Sequence, residues 1–309
     1  MEKSEEQEPR KVEDRGVDPD LGFLDASIQV EDRTVGSVYP IIQWVNGEPA
    51  KKPVGGVQYT GGWFYSRDND VGIPGAQACS LYTREGETVE GFFVRDLKFA
   101  PIRTRKCWTV RRPRGLPLVF AQAEYDDAEE AGRARGKLHV LAGIPGLDGP
   151  VVLVASGNAA GAIQGRSGKR RGALDRFSQA VVNGATMLAT RRGKNVRYPN
   201  CAFYLTIGPD RDDAGEPVFT EFGQEQTSRI TSPVWLDEIQ SPGPGELAAR
   251  FVGNESFAHY QLWHSQAESW VQEWSPENLG KRRTGGAAVA LEQEAAASGN
   301  LPKEDTIPL

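Results

Sequence analysis

Short apolar runs rich in β-branched and aromatic residues recur along the first two thirds of the chain, each cut off by glycine, proline or asparagine. Residues 38–45 (VYPIIQWV) predict a strand, with Asn46-Gly47 behind it as a tight turn. Further strands are expected at 57–65, 78–83, 88–94, 107–110, 116–123, 138–142, 151–155 and 201–207, with weaker ones at 218–222 and 232–236. The turn sequence at 146–150 makes a hairpin of the pair around it. Gly61-Gly62 before Trp63 fits a bulge or a close backbone approach inside a strand. Many short strands between turn residues point to a mainly β (α+β) fold, a meander or small barrel of oligonucleotide-binding (OB) type with elaborations.

Two segments change period. Leu174, Phe177, Val181, Ala185 and Leu188 recur at three and four residues and predict an amphipathic helix at 173–190, interrupted by Gly184 at a cost of about 1 kcal/mol relative to alanine. Phe257, Tyr260, Trp263 or His264, Ala267, Trp270, Val271 and Trp274 line one face of a second helix at 255–274, stopped by Ser275-Pro276. That aromatic stripe is expected to be core or a subunit interface, so a homo-oligomer is possible. Residues 157–172, rich in glycine, serine and base, predict a mobile loop. The polar ends complete the division: a disordered acidic segment at 1–33, a β-rich nucleic-acid-binding domain with helices at 34–274, and a flexible tail with an interaction tip at 275–309.

Charge sharpens this picture because its signs are segregated. The whole chain carries −6, and residues 1–33 alone carry a net −6. Residues 95–114 (RDLKFAPIRTRKCWTVRRPR) carry +7, and residues 166–197 carry +8. Cationic central segments between anionic ends suit a protein that attracts a polyanion locally. Lysine and arginine neutralise phosphates and release counterions, while an exposed aromatic face stacks a base of any identity. The candidate strand-binding residues are therefore Arg95, Lys98, Arg103, Arg105, Lys106, Arg111, Arg112, Arg192, Lys194 and Arg197, with Trp63 and Trp108 as the first stacking candidates. Trp44, Phe64, Tyr65, Phe92, Phe93 and Tyr198 are further aromatics of which alternation sends most to the core.

Several chemistries fail on spacing. The Gly168-Lys169 pair has Ile163 where a P-loop needs glycine and Arg170 where it needs Ser or Thr, and 157–161 is no dinucleotide fingerprint. His259 and His264 differ by five positions and fall on different helix faces, against a zinc pair. Cys79, Cys107 and Cys201 lack CxxC spacing and are expected as small apolar groups rather than as a disulfide or zinc framework. No cofactor is called for. Asp210, Asp212 and Asp213 are the one cluster that offers a divalent metal a place for phosphodiester chemistry. The start of the chain lacks a basic n-region and an apolar h-region, and no run of about eighteen apolar residues appears, so no membrane association and a cytoplasmic location are expected.

The last residues, Lys303-Glu304-Asp305-Thr306-Ile307-Pro308-Leu309, have Ile-Pro-hydrophobic at the end of an acidic run. This resembles the C-terminal tip of bacterial single-stranded-DNA-binding proteins, which ends in Ile-Pro-Phe. The resemblance covers about six residues, with Leu309 in place of the aromatic and two acids before Thr306. It implies a docking peptide for replication or repair enzymes: Ile307 and Leu309 filling an apolar pocket, Pro308 limiting the entropy lost on ordering, and Glu304, Asp305 and the terminal carboxylate meeting a basic rim. Residues and resemblance together point to a non-enzymatic single-stranded DNA-binding protein of DNA replication, recombination or repair, whose partners are the strand and the enzymes recruited by the tip. The alternatives are a scaffold protein that binds no nucleic acid and a metal-dependent nucleic-acid-processing enzyme.

Overall fold

Between Leu97 and Cys107, apolar side chains alternate with long cationic ones, and a strand built this way can bury one face while its other face supplies charge. In the computed structural model this segment is the 14-residue strand β5, Leu97–Val110. The structure describes residues 39–46, 61–69, 71–82, 88–110, 118–120, 135–166, 170–222 and 228–275. Ahead of β5 come β1 (Ile41–Val45), β2 (Gly62–Ser66), β3 (Gln77–Tyr82) and β4 (Thr88–Val94). After it come β6 (Leu118–Phe120), β7 (Arg135–Gly143), β8 (Val151–Ser156), helix α1 (Asn158–Gln164), and the two-residue strands β9 (Gly165–Arg166) and β10 (Arg170–Arg171). A continuous helical stretch follows as α2 (Ala173–Phe177), a π-helical segment (Ser178–Val182) and α3 (Asn183–Arg191). The chain closes its described part with β11 (Leu205–Pro209), β12 (Phe219–Phe222), β13 (Ser228–Thr231), β14 (Pro233–Trp235), α4 (Pro244–Arg250), α5 (Asn254–Gln266) and α6 (Glu268–Gln272).

One sheet dominates this α+β fold. Its order is β14-β11-β5-β7-β8-β1-β2-β4-β3, with β6 paired to the far end of β5. Every pairing is antiparallel except β1 with β8, a join between distant segments that a meander does not contain. The expected closed barrel is corrected here: among the described residues the hydrogen-bonded path is open, with β14 and β3 as its edges. The sheet nevertheless curls. The Trp63 indole N–H of β2 donates to the Ile207 carbonyl of β11 at 3.0 Å although four strands separate them in the order. Side chain replaces ladder at that point, so the faces approach without an added strand pair.

Both faces of the sheet are covered. On one, Ile42, Trp44, Trp63, Tyr65, Leu138, Val140 and Leu153 pack with Ala159 and Ile163 of α1 and with Leu174, Phe177 and Val181 of the following helix. On the other, Leu141, Val152 and Val154 pack with Tyr204, Tyr260, Ala267 and Trp270. Each large side chain buried in this way contributes about 1.5–3 kcal/mol. The loop expected at 157–172 is corrected: its Ala159, Ala160 and Ile163 are buried on the sheet, and that face holds a helix despite Gly161. The helix expected at 255–274 is divided at Ala267, which is fully buried and ends α5 before α6 starts.

Gly61 and Gly62 are the close approach their position implied. A Cβ on Gly61 would stand 1.9 Å from Thr231 Oγ1, and one on Gly62 would meet the Phe93 ring at 2.6 Å, with φ of +87° at the first. The Asn46-Gly47 turn and the segments 1–33 and 276–309 lie outside the described residues. No helix among the described residues is long and apolar enough to cross a membrane.

Candidate nucleic-acid interface

The cations of β5 differ in their surroundings, and two of them are tied to the C-terminal helices. A register shift between Pro101 and Arg103 puts Arg103 and Arg105 on the face that receives α5 and α6. Arg103 donates to Glu268 at 2.8 Å and to the His264 carbonyl at 3.2 Å. Arg105 is only 7% exposed. Its guanidinium donates to Glu273 and to the Trp270 carbonyl, each at 2.8 Å, and to His139 Nδ1 at 3.3 Å, with its carbon 4.1 Å and 4.4 Å from the Trp270 and Trp274 ring centroids. Planar, weakly hydrated guanidinium suits that stacked, multiply hydrogen-bonded position. Burial above all, and then Arg105 and Lys137, hold His139 well below the ordinary imidazole range, so it is neutral and accepts from Arg105. Burial also lowers Lys137 and raises the Cys107 thiol. Arg105 is thus a clamp on the C-terminal helices, and its expected role in holding phosphates is corrected.

The remaining β5 candidates stand differently. Arg95 is exposed and donates to the Gly215 carbonyl at 3.2 Å. Lys98 is exposed, its ammonium 5.2 Å from the Tyr204 ring centroid. Lys106 lies 5.8 Å from the Trp108 ring, and both side chains are half-buried. Arg111 and Arg112 fall outside the described residues, as do Glu304, Asp305, Ile307, Pro308 and Leu309.

Trp63 is a core residue, and this corrects its expected role as a stacking platform. It is 1% exposed, meets Trp44 and Phe99 edge to face, and presents no ring face to a base. Phe64, Tyr65 and Phe93 are buried as well.

A second region has the opposite character. Helix α3 runs out at Arg191, Gly193 turns the chain at a φ of +74°, and a stretch without regular secondary structure leads to Pro199. Arg191, Arg192, Lys194 and Arg197 are all exposed along it, and none makes an ion pair with another described residue. Behind them a groove of about 400 Å³ opens between α3 and α4, with Leu188, Tyr198, Phe203, Leu247 and Phe251 in its walls and Arg192 and Lys194 at its rim. Tyr198 is half-buried, edge-on to Phe203 at 5.6 Å, and its backbone N–H donates to Thr186 Oγ1 at 3.3 Å. Exposed Met187 (57%) and Val196 (41%) flank the same loop. Unpaired cations beside an aromatic edge and an apolar groove can hold phosphates and receive a base.

No protein family, curated protein or solved structure matches the chain. The site therefore rests on its own geometry.

The aspartates at 210–213 are drawn into local structure. Asp212 accepts from the backbone N–H groups of Ala214 at 3.0 Å and Glu216 at 2.9 Å, and so closes its own turn. Among the described residues no three His, Cys, Asp or Glu side chains group as a metal site. Sequence reading missed the groove and a second cavity, lined by Thr104, Gln164, Asp175, Ser178 and Asn200. Its one available signal was the polar pair Asp175 and Ser178, three apart on the predicted helix and so on one face.

Proposed function

We propose that this chain binds single-stranded DNA without sequence preference as its main activity, as a non-enzymatic protein of replication, recombination or repair. The observation that carries the reading is the run of four exposed cations at 191–197 without ion pairs among the described residues, set against Tyr198 and its groove. Each lysine or arginine on a phosphate releases a counterion, and a half-buried tyrosine in a groove wall gives a base an aromatic partner. Exposed Lys98 and half-buried Lys106 on β5 add cations that a strand can extend to. The tip at Glu304, Asp305, Ile307, Pro308 and Leu309 is the part that recruits partner enzymes. Fluorescence anisotropy of labelled oligo-dT and of a duplex at two salt concentrations tests this. Tight oligo-dT binding that weakens with salt and exceeds duplex binding is expected; equal affinity for the duplex, or no binding, defeats the reading.

A second reading has its own observation. Met187, Val196 and the apolar walls of the groove also fit an acidic, apolar peptide, the occupant a scaffold protein would take there. A chain that ignores both nucleic acids while binding such a peptide is the scaffold.

A further inference from the structure

Two departures from regular backbone meet at one cavity. The register shift at Pro101–Arg103 breaks the β5–β7 ladder, and the π-helical segment begins at Ser178. Bulges and π segments each disturb regular hydrogen bonding, and both are over-represented beside functional sites. The cavity between them measures about 300 Å³, enough for a flat heterocycle, and Arg103, Thr104, Gln164, Asp175, Ser178 and Asn200 supply its polar lining.

The charges of that lining decide what fits. Arg103 is already held by Glu268 and the His264 carbonyl. Asp175 is exposed and has no ion pair among the described residues, so the cavity repels phosphate and favours hydrogen-bond donors. Gln164 adds its side-chain amide to the wall. The hydroxyls of Thr104 and Ser178 and the amide of Asn200 complete a set able to donate as well as accept.

The cavity and the cationic loop are built from neighbouring stretches of chain. Asn200 lies three residues after Arg197, and the helical stretch that starts beside Asp175 ends at Arg191, about 24 Å away at 1.5 Å per residue. A strand held at 191–197 needs only a few nucleotides to bring a base here.

We propose that this cavity takes the Watson–Crick edge of one unpaired base of the bound strand, and that guanine is the base it takes best. The proposal rests on the strand-binding reading and deepens it. Guanine offers two adjacent donors, N1–H and the N2 amino group, which match the two oxygens of a carboxylate, and its O6 accepts from a hydroxyl or an amide. Thymine offers one donor between two acceptors, and adenine and cytosine each offer one amino group beside an acceptor. Single-stranded recognition commonly works through such edges of splayed bases.

The test is a competition by anisotropy with the full chain, using a dT tract and the same tract carrying one central dG, dA or deoxyinosine, which lacks the N2 amino group. The dG tract is expected to bind about tenfold tighter than dT, as one bidentate base contact provides. Deoxyinosine should lose most of that gain, and Asp175→Asn should bring the dG-to-dT ratio to one. Asn200→Ala, a change at an exposed position, should lower the ratio independently. Tight dT binding with no dG preference, or a preference that survives Asp175→Asn, overturns the proposal and leaves the strand-binding reading intact. No binding to any tract overturns both.

Discussion

Arg105 on β5 lies between two tryptophan rings with a carboxylate at 2.8 Å, whereas Arg192, just past the end of α3, stands in solvent with no ion pair among the described residues. Both belong to basic runs of similar net charge. The difference is where the backbone takes them. A strand in the middle of a sheet that is covered on both faces presses its side chains against other elements, so its cations must find partners or remain unburied. A loop after a helix end presses on little. Density of arginine in a sequence is therefore a poor guide to an anion-binding surface, and the backbone beneath the arginines is the better one.

This contrast can be broken by mutation. Trp63→Ala should show the largest effect, a loss of about 3–5 kcal/mol in urea unfolding, because a fully buried indole hydrogen-bonded to Ile207 leaves a cavity that neighbours cannot fill. DNA affinity per folded molecule should be unchanged; a base-stacking role would reverse that order, with small loss of stability and large loss of binding. Arg105→Ala should cost about 3 kcal/mol, since it removes a buried cation from Glu273, His139 and two tryptophans. Limited proteolysis should then release the α5–α6 region first.

Acid sharpens the same side of the comparison. His139 titrates below its ordinary value when folded, so below about pH 6.5 the unfolded chain takes up a proton that the folded chain refuses. Stability is fully present above that pH and falls as pH drops through it, by up to about 1.4 kcal/mol per unit. His264, also lowered, acts in the same direction. Urea midpoints at pH 7 and pH 5.5 should show the drop in the native chain and a smaller one in His139→Gln. Replacing Arg192, Lys194 and Arg197 together by glutamine should move stability least, within about 0.5 kcal/mol, because these exposed groups make no ion pair among the described residues.

How much of this was legible follows from which partners are local. The strands β1, β4 and β8 announce themselves as short β-branched or aromatic runs between turn residues, and the helical stretch by its three- and four-residue period, signals that each lie within a few residues. The fate of Arg103 and Arg105 does not, because Glu268 and Glu273 lie 165 and 168 residues further on. The open sheet was equally hidden. It depends on β1 pairing β8 in parallel, more than a hundred residues apart, and on edges that local patterns leave undetermined. The ten residues of β5 from Leu97 to Lys106 carry the cations read as a phosphate-binding run, and only 107–110 stands out locally as a strand. For the candidate interface, the cations at 192–197 were visible as composition, while the groove behind Tyr198 needed α4, a short helix with four apolar positions or fewer and little periodic signal.

The salt dependence of oligo-dT binding tests the central contrast most directly. The slope of log affinity against log salt should be compared for the native chain, for Arg192→Gln/Lys194→Gln/Arg197→Gln, and for Arg103→Gln. At about 0.7 per phosphate contact on a single strand, the loop triple variant should lower the slope by about 2, and Arg103→Gln should leave it unchanged. An unchanged slope in the loop variant, or a loss carried by Arg103, would contradict the account.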